Sequence, residues 1–165
     1  FPQFDGTLKI CWAGDPETSH HGDVKGYYEF IRPAIEKFDD VELITASKQN
    51  RIPHNKMGTF YSRGHVYLNF SSSEGTPMPL LESMACGRTV ITTNVGISEE
   101  VVSHGINGWV VPRSLNALVN AIGECQKNIS ELQKMGLKAF RSVEDRTYDW
   151  SAMHYEKLFD SVYDS

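Results

Sequence analysis

The sequence predicts an α/β fold: a Rossmann-like parallel sheet with helices on both faces and a helical C-terminal tail. Short apolar runs alternate with stretches whose apolar residues recur at helical spacing, and the last third of the chain has only the helical pattern. The 165 residues, 40% of them hydrophobic and 22% charged, suit one buried core but not two. We therefore expect one domain over residues 1–165, with the helical tail at about 114–165.

Five short runs rich in Val, Ile and aromatic residues predict the strands of this sheet. Short runs of this composition are typical of strands in a parallel sheet that is covered on both faces. The runs are 8–13, 41–45, 66–70, 90–93 and 109–111. Because they lie too far apart for hairpins, we expect crossover connections between parallel strands.

Helical spacing fills the segments between these strands and continues beyond them. Over 27–38 the apolar residues form one amphipathic stripe, which Pro33 is expected to kink. A weaker helical pattern follows at 57–62 and a stronger one at 80–86. In the tail, three helices without an intervening strand are predicted over 115–125, 130–143 and 151–162.

Charge and cysteine content exclude several classes of function. The 16 basic and 21 acidic residues give a formal charge of -5, which argues against nucleic acid as a partner. No apolar run approaches the roughly 20 residues that span a bilayer. Cys11, Cys86 and Cys125 are odd in number and far apart, so we expect core thiols in a reducing, cytoplasmic compartment. The chain starts at Phe1 without an initiator Met, from which we expect a piece of a longer protein.

In an open parallel sheet, ligands bind in the loops that follow the carboxyl ends of the strands. The loops to inspect are therefore 14–26, 71–79 and 94–98. In the second loop Glu74 and Glu82 bracket the junction between a strand and a helix, where unpaired N–H groups and the helix dipole can hold a phosphate. The carboxylates would then accept hydroxyls beside that phosphate. Ordinary capping or dipole contacts by the same carboxylates stay open as an equal alternative.

A longer pattern around these carboxylates resembles a known enzyme family. Residues 74–87 combine the two glutamates with Ser-Met-Ala-Cys-Gly, and 88–96 and 100–108 continue the pattern in the same order. Together they resemble the C-terminal half of a retaining glycosyltransferase of the large family that includes sucrose synthase and bacterial polysaccharide mannosyltransferases. The match covers roughly Leu8 to Trp150. It implies a GT-B architecture of two Rossmann-like domains, of which this chain is the donor-binding half and a missing N-terminal domain is the other.

The resemblance also assigns roles to individual residues. Glu74 would hold hydroxyls of the donor sugar, and Lys25 would neutralise the leaving diphosphate; these two are the expected catalytic residues. Glu82 would hold the ribose hydroxyls. The other expected donor-binding residues, mainly through backbone N–H groups, are Gly14, Gly75, Thr76, Met78 and Leu80. Taken by itself, a lysine before a glycine at a helix start is a solvated surface charge most of the time.

The first loop departs from the family pattern. Relatives commonly follow the strand-ending glycine with an arginine that meets the diphosphate, but here Gly14 is followed by Asp15-Pro16-Glu17. His20 and His21 are candidates for part of the missing charge, although adjacent surface histidines often have no function. Paired carboxylates in this loop could hold a divalent metal. Because the rest of the chain fits GT-B, we expect no metal and no other cofactor.

The expected function is retaining transfer of a hexose-type sugar from a nucleoside diphosphate to the hydroxyl of a glycan or lipid-linked acceptor. The donor half alone is expected to be inactive without its N-terminal domain, which would also supply any peripheral attachment to the inner face of a membrane. The main alternative is a non-catalytic nucleotide-sugar-binding module with a degenerate diphosphate loop. Hydrolysis by two carboxylates is set aside because Glu74 and Glu82 straddle one loop-to-helix junction. A flavodoxin-like signalling domain is set aside because the strands ending at Phe70 and Thr93 lead into no aspartate.

Overall fold

A sheet of five parallel strands forms the centre of the molecule. The computed structural model describes residues 1–17, 22–147, 149, 152, 153 and 155–157. The spatial order of the strands is β2-β1-β3-β4-β5, and every neighbouring pair is parallel. The strands are β1 (Leu8–Ala13), β2 (Val41–Ala46), β3 (Val66–Asn69), β4 (Thr89–Thr92) and β5 (Gly108–Val110). The predicted sheet is therefore confirmed, and each predicted strand end agrees to within one residue.

The first crossover contains a change of helix type. A π-helical turn, Tyr27–Ile31, runs into α1 (Arg32–Ile35), and the Ile31 N–H donates to the Gly26 carbonyl at 2.9 Å. Pro33 lies in the first turn of α1, where a missing N–H is tolerated. Where the sequence predicts a kink at Pro33, the structure has a junction between a π-helical turn and an α-helix. The α-helix ends at Ile35, before the end of the predicted stripe at residue 38.

Within the described residues, five further helices connect or follow the strands. A 3₁₀ turn, His54–Lys56, leads into the first of them. They are α2 (Met57–Ser62), α3 (Met78–Ala85), α4 (Ser98–Val101), α5 (Leu115–Lys127) and α6 (Ile129–Arg141). The first two predicted tail helices are confirmed, whereas most of the third, 151–162, lies outside the described residues. Among the described helices, none combines the length and apolar character that crossing a bilayer requires.

Two apolar clusters cover the two faces of the sheet. One joins Ile10 and Leu68 to Leu118 of α5, and the other joins Tyr67 to Met84 of α3. All residues of β3 and β4 are buried, which explains why these strands have no alternation of polar and apolar residues. The prediction of helices on both faces is confirmed.

The three cysteines are free thiols, as predicted. Cys11 and Cys125 are buried in the core and Cys86 is half-buried. Burial raises the pKa of the Cys11 thiol to about 12, and it raises the pKa of Cys125 as well. These groups are core-filling side chains and not nucleophiles at neutral pH.

Candidate functional site

The loop between β3 and α3 presents a run of unused backbone N–H groups. Within the described part of the chain, no acceptor meets the N–H groups of Ser73, Glu74, Gly75, Thr76 and Met78. Unpaired N–H groups at the start of a helix attract anions. The N–H groups remain free to donate in three of the residues that were predicted to bind the sugar donor, namely Gly75, Thr76 and Met78. The N–H of Leu80, also proposed, already donates to the Pro77 carbonyl at 2.9 Å as part of the first turn of α3.

The two expected catalytic side chains meet at this loop, although they lie far apart in sequence. Lys25 Nζ is 2.5 Å from Glu74 Oε1, and Ser71 Oγ donates to the same carboxylate oxygen at 2.7 Å. The lysine side chain is 30% exposed and the glutamate 16%, so the ion pair is partly shielded from water but can be reached. The second oxygen, Oε2, has no hydrogen bond among the described residues and stays available to a ligand.

A glycine allows the two loops to approach so closely. Gly26 has φ +71°, and a Cβ on it would lie 2.7 Å from the carbonyl oxygen of Phe70 at the end of β3. The Ser72 N–H also donates to the Val24 carbonyl at 2.8 Å. The Lys-Gly pair singled out in the sequence therefore has a steric role as well as a charged one, because glycine brings Lys25 next to the β3 loop.

Glu82 lies one turn into α3 and is only partly exposed. Its Oε2 accepts a hydrogen bond from the hydroxyl of Tyr61 at 2.7 Å. Sequence analysis did not single out Tyr61, because a buried tyrosine on a separate helix has no local signal. Glu82 is thus held by one buried donor, and its other oxygen has no partner within the described residues.

The turn after β4 packs directly on the same loop. Gly96 has φ +53°, and a Cβ on it would lie 1.8 Å from the carbonyl oxygen of Gly75. No side chain fits in that space unless one of the two backbones moves. This contact lies in the loop 94–98, one of the three that the sequence indicated for inspection.

The loop after β1 is built differently from the β3 loop. The Gly14 N–H donates to the Ala46 carbonyl of β2 at 3.0 Å, so this proposed binding residue uses its N–H within the sheet. Asp15 accepts from the Glu17 N–H at 3.1 Å in a local turn. His20 and His21 lie outside the described residues.

A carboxylate of the protein occupies the start of the first helix. Asp23 accepts from the N–H groups of Tyr27, Tyr28 and Glu29 at 2.7–2.8 Å. These are the N–H groups that a phosphate at this helix would otherwise use. Sequence analysis missed this cap, for which the available signal was an Asp placed just before a helical stripe.

An arginine from the segment after β5 also contacts this part of the molecule. Arg113, just after β5, donates from Nη2 to the Asp23 carbonyl at 2.7 Å and from Nε to the Phe70 carbonyl at 3.4 Å. Its guanidinium lies 4.5 Å from the ring centre of Phe30. Arg113 lines a cleft of about 420 Å³ at the ends of β3, β4 and β5, which Ser71 also lines. The three loops that the sequence indicated for inspection do not include Arg113.

Metal-binding chemistry has little support in the described residues. In 1–17, 22–147 and the few described positions beyond, no three His, Cys, Asp or Glu side chains gather closely enough to hold an ion. The pair Asp15 and Glu17 in the first loop gains no third partner there. Metal independence stays a prediction.

Several solved structures share the fold of this chain. The C-terminal domain of a group 1 family glycosyl transferase, LpcC from Francisella tularensis, matches with a TM-score of 0.70 and 21% identity over 84% of this chain and 85% of that one. Sucrose-phosphate synthase from Thermosynechococcus elongatus matches with 0.67 and 19% over 95% and 46%. S. aureus TarM, solved with UDP among its ligands, matches with 0.72 and 15% over 95% and 36%. The fold is that of a GT-B glycosyltransferase domain.

Sequence comparison gives the family. Residues 10–128 match the family described as "Glycosyl transferases group 1", and the chain belongs to it.

Three curated relatives are named for transfer of N-acetylglucosamine. One subunit of human phosphatidylinositol N-acetylglucosaminyltransferase is 27% identical over 139 residues, 81% of this chain and 27% of that protein. The GPI3 subunit of the corresponding Saccharomyces cerevisiae enzyme is 27% identical over 99 residues, 60% of this chain and 22% of that protein. The GtfA subunit of a Streptococcus agalactiae UDP-N-acetylglucosamine–peptide N-acetylglucosaminyltransferase is 29% identical over 77 residues, 44% of this chain and 15% of that protein. The chain thus spans about a quarter or less of these relatives, and its narrower likeness to sucrose synthase and mannosyltransferases stays a prediction.

Proposed function

We propose that this chain is the donor-binding half of a retaining glycosyltransferase and holds a nucleoside diphosphate sugar at the carboxyl edge of its sheet. One observation carries the proposal: Lys25 and Glu74, 49 residues apart, meet beside a run of free backbone N–H groups. A diphosphate sugar presents anionic oxygens flanked by hydroxyls at both ends. A cation and N–H groups suit the anion, and carboxylates suit the hydroxyls.

Each group then has a chemical role. In retaining transfer, the acceptor oxygen bonds to the anomeric carbon on the face from which the phosphate oxygen leaves, and that phosphate oxygen takes the acceptor's proton. Negative charge grows on the diphosphate as its bond to the sugar breaks, so Lys25 stabilises the transition state more than the ground state. Glu74 orients the sugar and Glu82 the ribose. This scheme uses no side-chain nucleophile and no metal.

The names of the relatives favour a particular donor. All three are N-acetylglucosaminyltransferases, and one is named for UDP-N-acetylglucosamine. We therefore propose UDP-N-acetylglucosamine as the donor. Two of the names include phosphatidylinositol, which supports a lipid-linked or glycan acceptor. A second domain of the complete protein would bind the acceptor and would provide any peripheral attachment to a membrane.

Isothermal titration of the chain with UDP, GDP and ADP tests donor binding. We expect UDP to bind most tightly, and Glu82→Ala and Lys25→Ala to weaken it by about 10-fold or more, because each removes a charged hydrogen-bond partner. Lys134→Ala is a matched control, since Lys134 also pairs with a glutamate, Glu131 at 2.9 Å, but on α6. Failure of all three nucleotides to bind at millimolar concentration would refute the proposal. Unchanged affinity with and without EDTA would support metal independence.

Donor and stereochemistry need separate measurements. UDP-N-acetylglucosamine should bind more tightly than UDP-glucose, and the reverse order would refute the proposed donor. The complete protein should give a product with the anomeric configuration of the donor, as read by proton NMR.

A second candidate is the non-catalytic nucleotide-sugar-binding module. It is favoured by Asp23, which accepts from three N–H groups at the start of the first helix, and by Asp15 and Glu17, which stand where the resemblance implies an arginine. Such a module would bind UDP-sugar in the same titrations. It would differ from the enzyme in that the complete protein, supplied with donor and acceptor, would release no UDP above the rate of the Lys25→Ala variant.

A further inference from the structure

We propose that Tyr61 is a positioning residue that fixes the carboxylate of Glu82 for the ribose of the donor. The proposal rests on the function proposed above, in which Glu82 accepts the ribose hydroxyls. Tyr61 Oη donates to Glu82 Oε2 at 2.7 Å across 21 residues of sequence, from α2 to α3.

The ring of Tyr61 is fixed by its surroundings. The side chain is fully buried, and its ring lies edge-on to Phe60 at 5.2 Å and to Tyr67 at 5.6 Å between ring centres. A ring held on two sides in a packed core has little rotational freedom. Its hydroxyl is therefore a fixed point from which the more exposed Glu82 takes its orientation.

The chemistry of the contact determines which atom is available to a ligand. Burial, together with the bond to Glu82, raises the pKa of Tyr61 far above neutrality, so the phenol keeps its proton and only donates to the carboxylate. A donor on Oε2 stops rotation of the carboxylate group. Oε1, which has no hydrogen bond within the described residues, is left to accept from the ribose.

A purely structural role would give a different result from a positioning role. If the hydroxyl only satisfies a buried polar group, its removal changes stability and leaves ligand selectivity intact. If it positions Glu82, its removal lowers the discrimination between a ribose that carries its hydroxyls and one that lacks them. The ratio of dissociation constants for 2′,3′-dideoxy-UDP and UDP measures that discrimination.

The experiment titrates the chain with both nucleotides. The ratio should be about 10 for the wild type, since two hydroxyls lose a charged acceptor, and about 3 or less for Tyr61→Phe. Affinity for 2′,3′-dideoxy-UDP should be the same in both. Tyr67→Phe is the matched control: it removes a hydroxyl from the neighbouring buried ring, which makes no described hydrogen bond to Glu82, and its ratio should match the wild type. A Tyr61→Phe ratio equal to that of the wild type would overturn the proposal.

Two further measurements cover other outcomes. In a Glu82→Gln background, Tyr61→Phe should not lower the ratio further, and an additive loss would also overturn the proposal. Should Tyr61→Phe fail to fold, the hydroxyl proton of Tyr61 in the wild type gives the test. Its NMR resonance should shift on addition of UDP and stay in place with 2′,3′-dideoxy-UDP; equal shifts overturn the proposal. Absence of any nucleotide binding would refute the donor site itself, whereas UDP binding with an unchanged ratio refutes only the role of Tyr61.

Discussion

At the carboxyl edge of the sheet, N–H groups between residues 73 and 78 have no acceptor among the described residues, whereas two polar side chains at the amino edge donate within the protein. There Arg88, which is buried, donates to the carbonyls of Gly64 and Cys86, both at 3.0 Å. The Thr89 hydroxyl donates to the Leu132 carbonyl at 2.7 Å. The carboxyl edge therefore has N–H donors left for a ligand. At the amino edge, the Arg88 and Thr89 side chains use their donors to hold α6 and the strand ends together.

Close backbone contacts occur at both edges. At the carboxyl edge Gly96 touches the carbonyl of Gly75, and at the amino edge Gly136 of α6 touches the carbonyl of Gly87, where a Cβ would lie 2.1 Å from the oxygen. The same kind of close backbone contact therefore shapes the candidate site in one place and attaches a helix in the other. Equivalent substitutions at the two glycines should affect different properties.

The largest effect is expected at Gly96. In Gly96→Ala the methyl group must displace the Gly75 peptide, and the residue also has an unfavourable positive φ. We expect UDP affinity to fall by about 30-fold or more, because misplaced N–H groups and Glu74 no longer meet one ligand. Titration measures the loss, and circular dichroism should show an intact fold. Wild-type affinity in this variant would mean that the loop needs no support from the β4 turn.

Gly136→Ala should instead act on stability. Alanine is normally better than glycine in a helix by about 1 kcal/mol, but here its methyl group would push α6 away from the Gly87 backbone. We expect the free energy of unfolding to fall by about 2 kcal/mol, as measured by urea denaturation. Gly123→Ala in α5 is the control, since a Cβ there meets nothing within 4 Å and should stabilise the protein by about 0.5 to 1 kcal/mol. A Gly136→Ala variant as stable as Gly123→Ala would contradict the contact.

Lys25→Ala separates binding from stability at the carboxyl edge. The pair with Glu74 is partly exposed, so we expect the unfolding free energy to change by less than about 1 kcal/mol. UDP affinity should nevertheless fall by about 10-fold. Thermal denaturation and titration of one sample give both numbers. A variant that loses stability but keeps affinity would assign Lys25 to the fold and not to the site.

The smallest effect concerns pH at the amino edge. His65 is buried beside the rings of Phe1 and Phe4, and its Nδ1 accepts from the Lys9 N–H at 2.9 Å, which requires the neutral imidazole. Desolvation lowers the pKa of His65 below its ordinary value of 6.5, and the charge on Lys9 lowers it further. Below pH 6.5 the unfolded chain therefore binds more protons than the folded one. The free energy of unfolding consequently decreases as the pH is lowered.

Urea denaturation at several pH values checks this expectation. The contribution of His65 should be fully present above pH 6.5 and should diminish as the pH falls below it. The His65→Asn variant should lack this part of the pH dependence of the unfolding free energy. Its side-chain oxygen can still accept from the Lys9 N–H. Parallel pH profiles for the wild type and this variant would show that His65 does not set the slope.

Most of the fold could be predicted from the sequence because its signals are local. The β1 run matches the observed strand at both ends, and α2 also matches its predicted bounds. The π-helical turn Tyr27–Ile31 was not predicted, since it shares the apolar stripe of an α-helix and differs only in hydrogen bonding. The short helix α4 was missed for the same kind of reason: its four residues are too few to show a period.

The candidate site was predictable in part. The sequence pattern pointed to Lys25, Glu74 and Glu82, and the first two indeed meet. Tyr61, which donates to Glu82, and Arg113, which donates to the Asp23 carbonyl at the same edge, come from other elements and are brought in by tertiary packing, which leaves no regular spacing in the chain. The sequence pattern therefore pointed to two side chains that the fold brings together, but not to the residues that hold or surround them.

The Lys25–Glu74 pair affects which anions the candidate site would bind. Its two charges neutralise each other, so the pair presents little net field to a free phosphate or sulfate arriving from solution. Such an ion could take the lysine only by leaving a half-buried carboxylate without its counter-charge. A ligand that brings hydroxyls along with its anion satisfies both residues at once, and on this basis the pair would favour a complete sugar nucleotide over the inorganic anions that are abundant in cells.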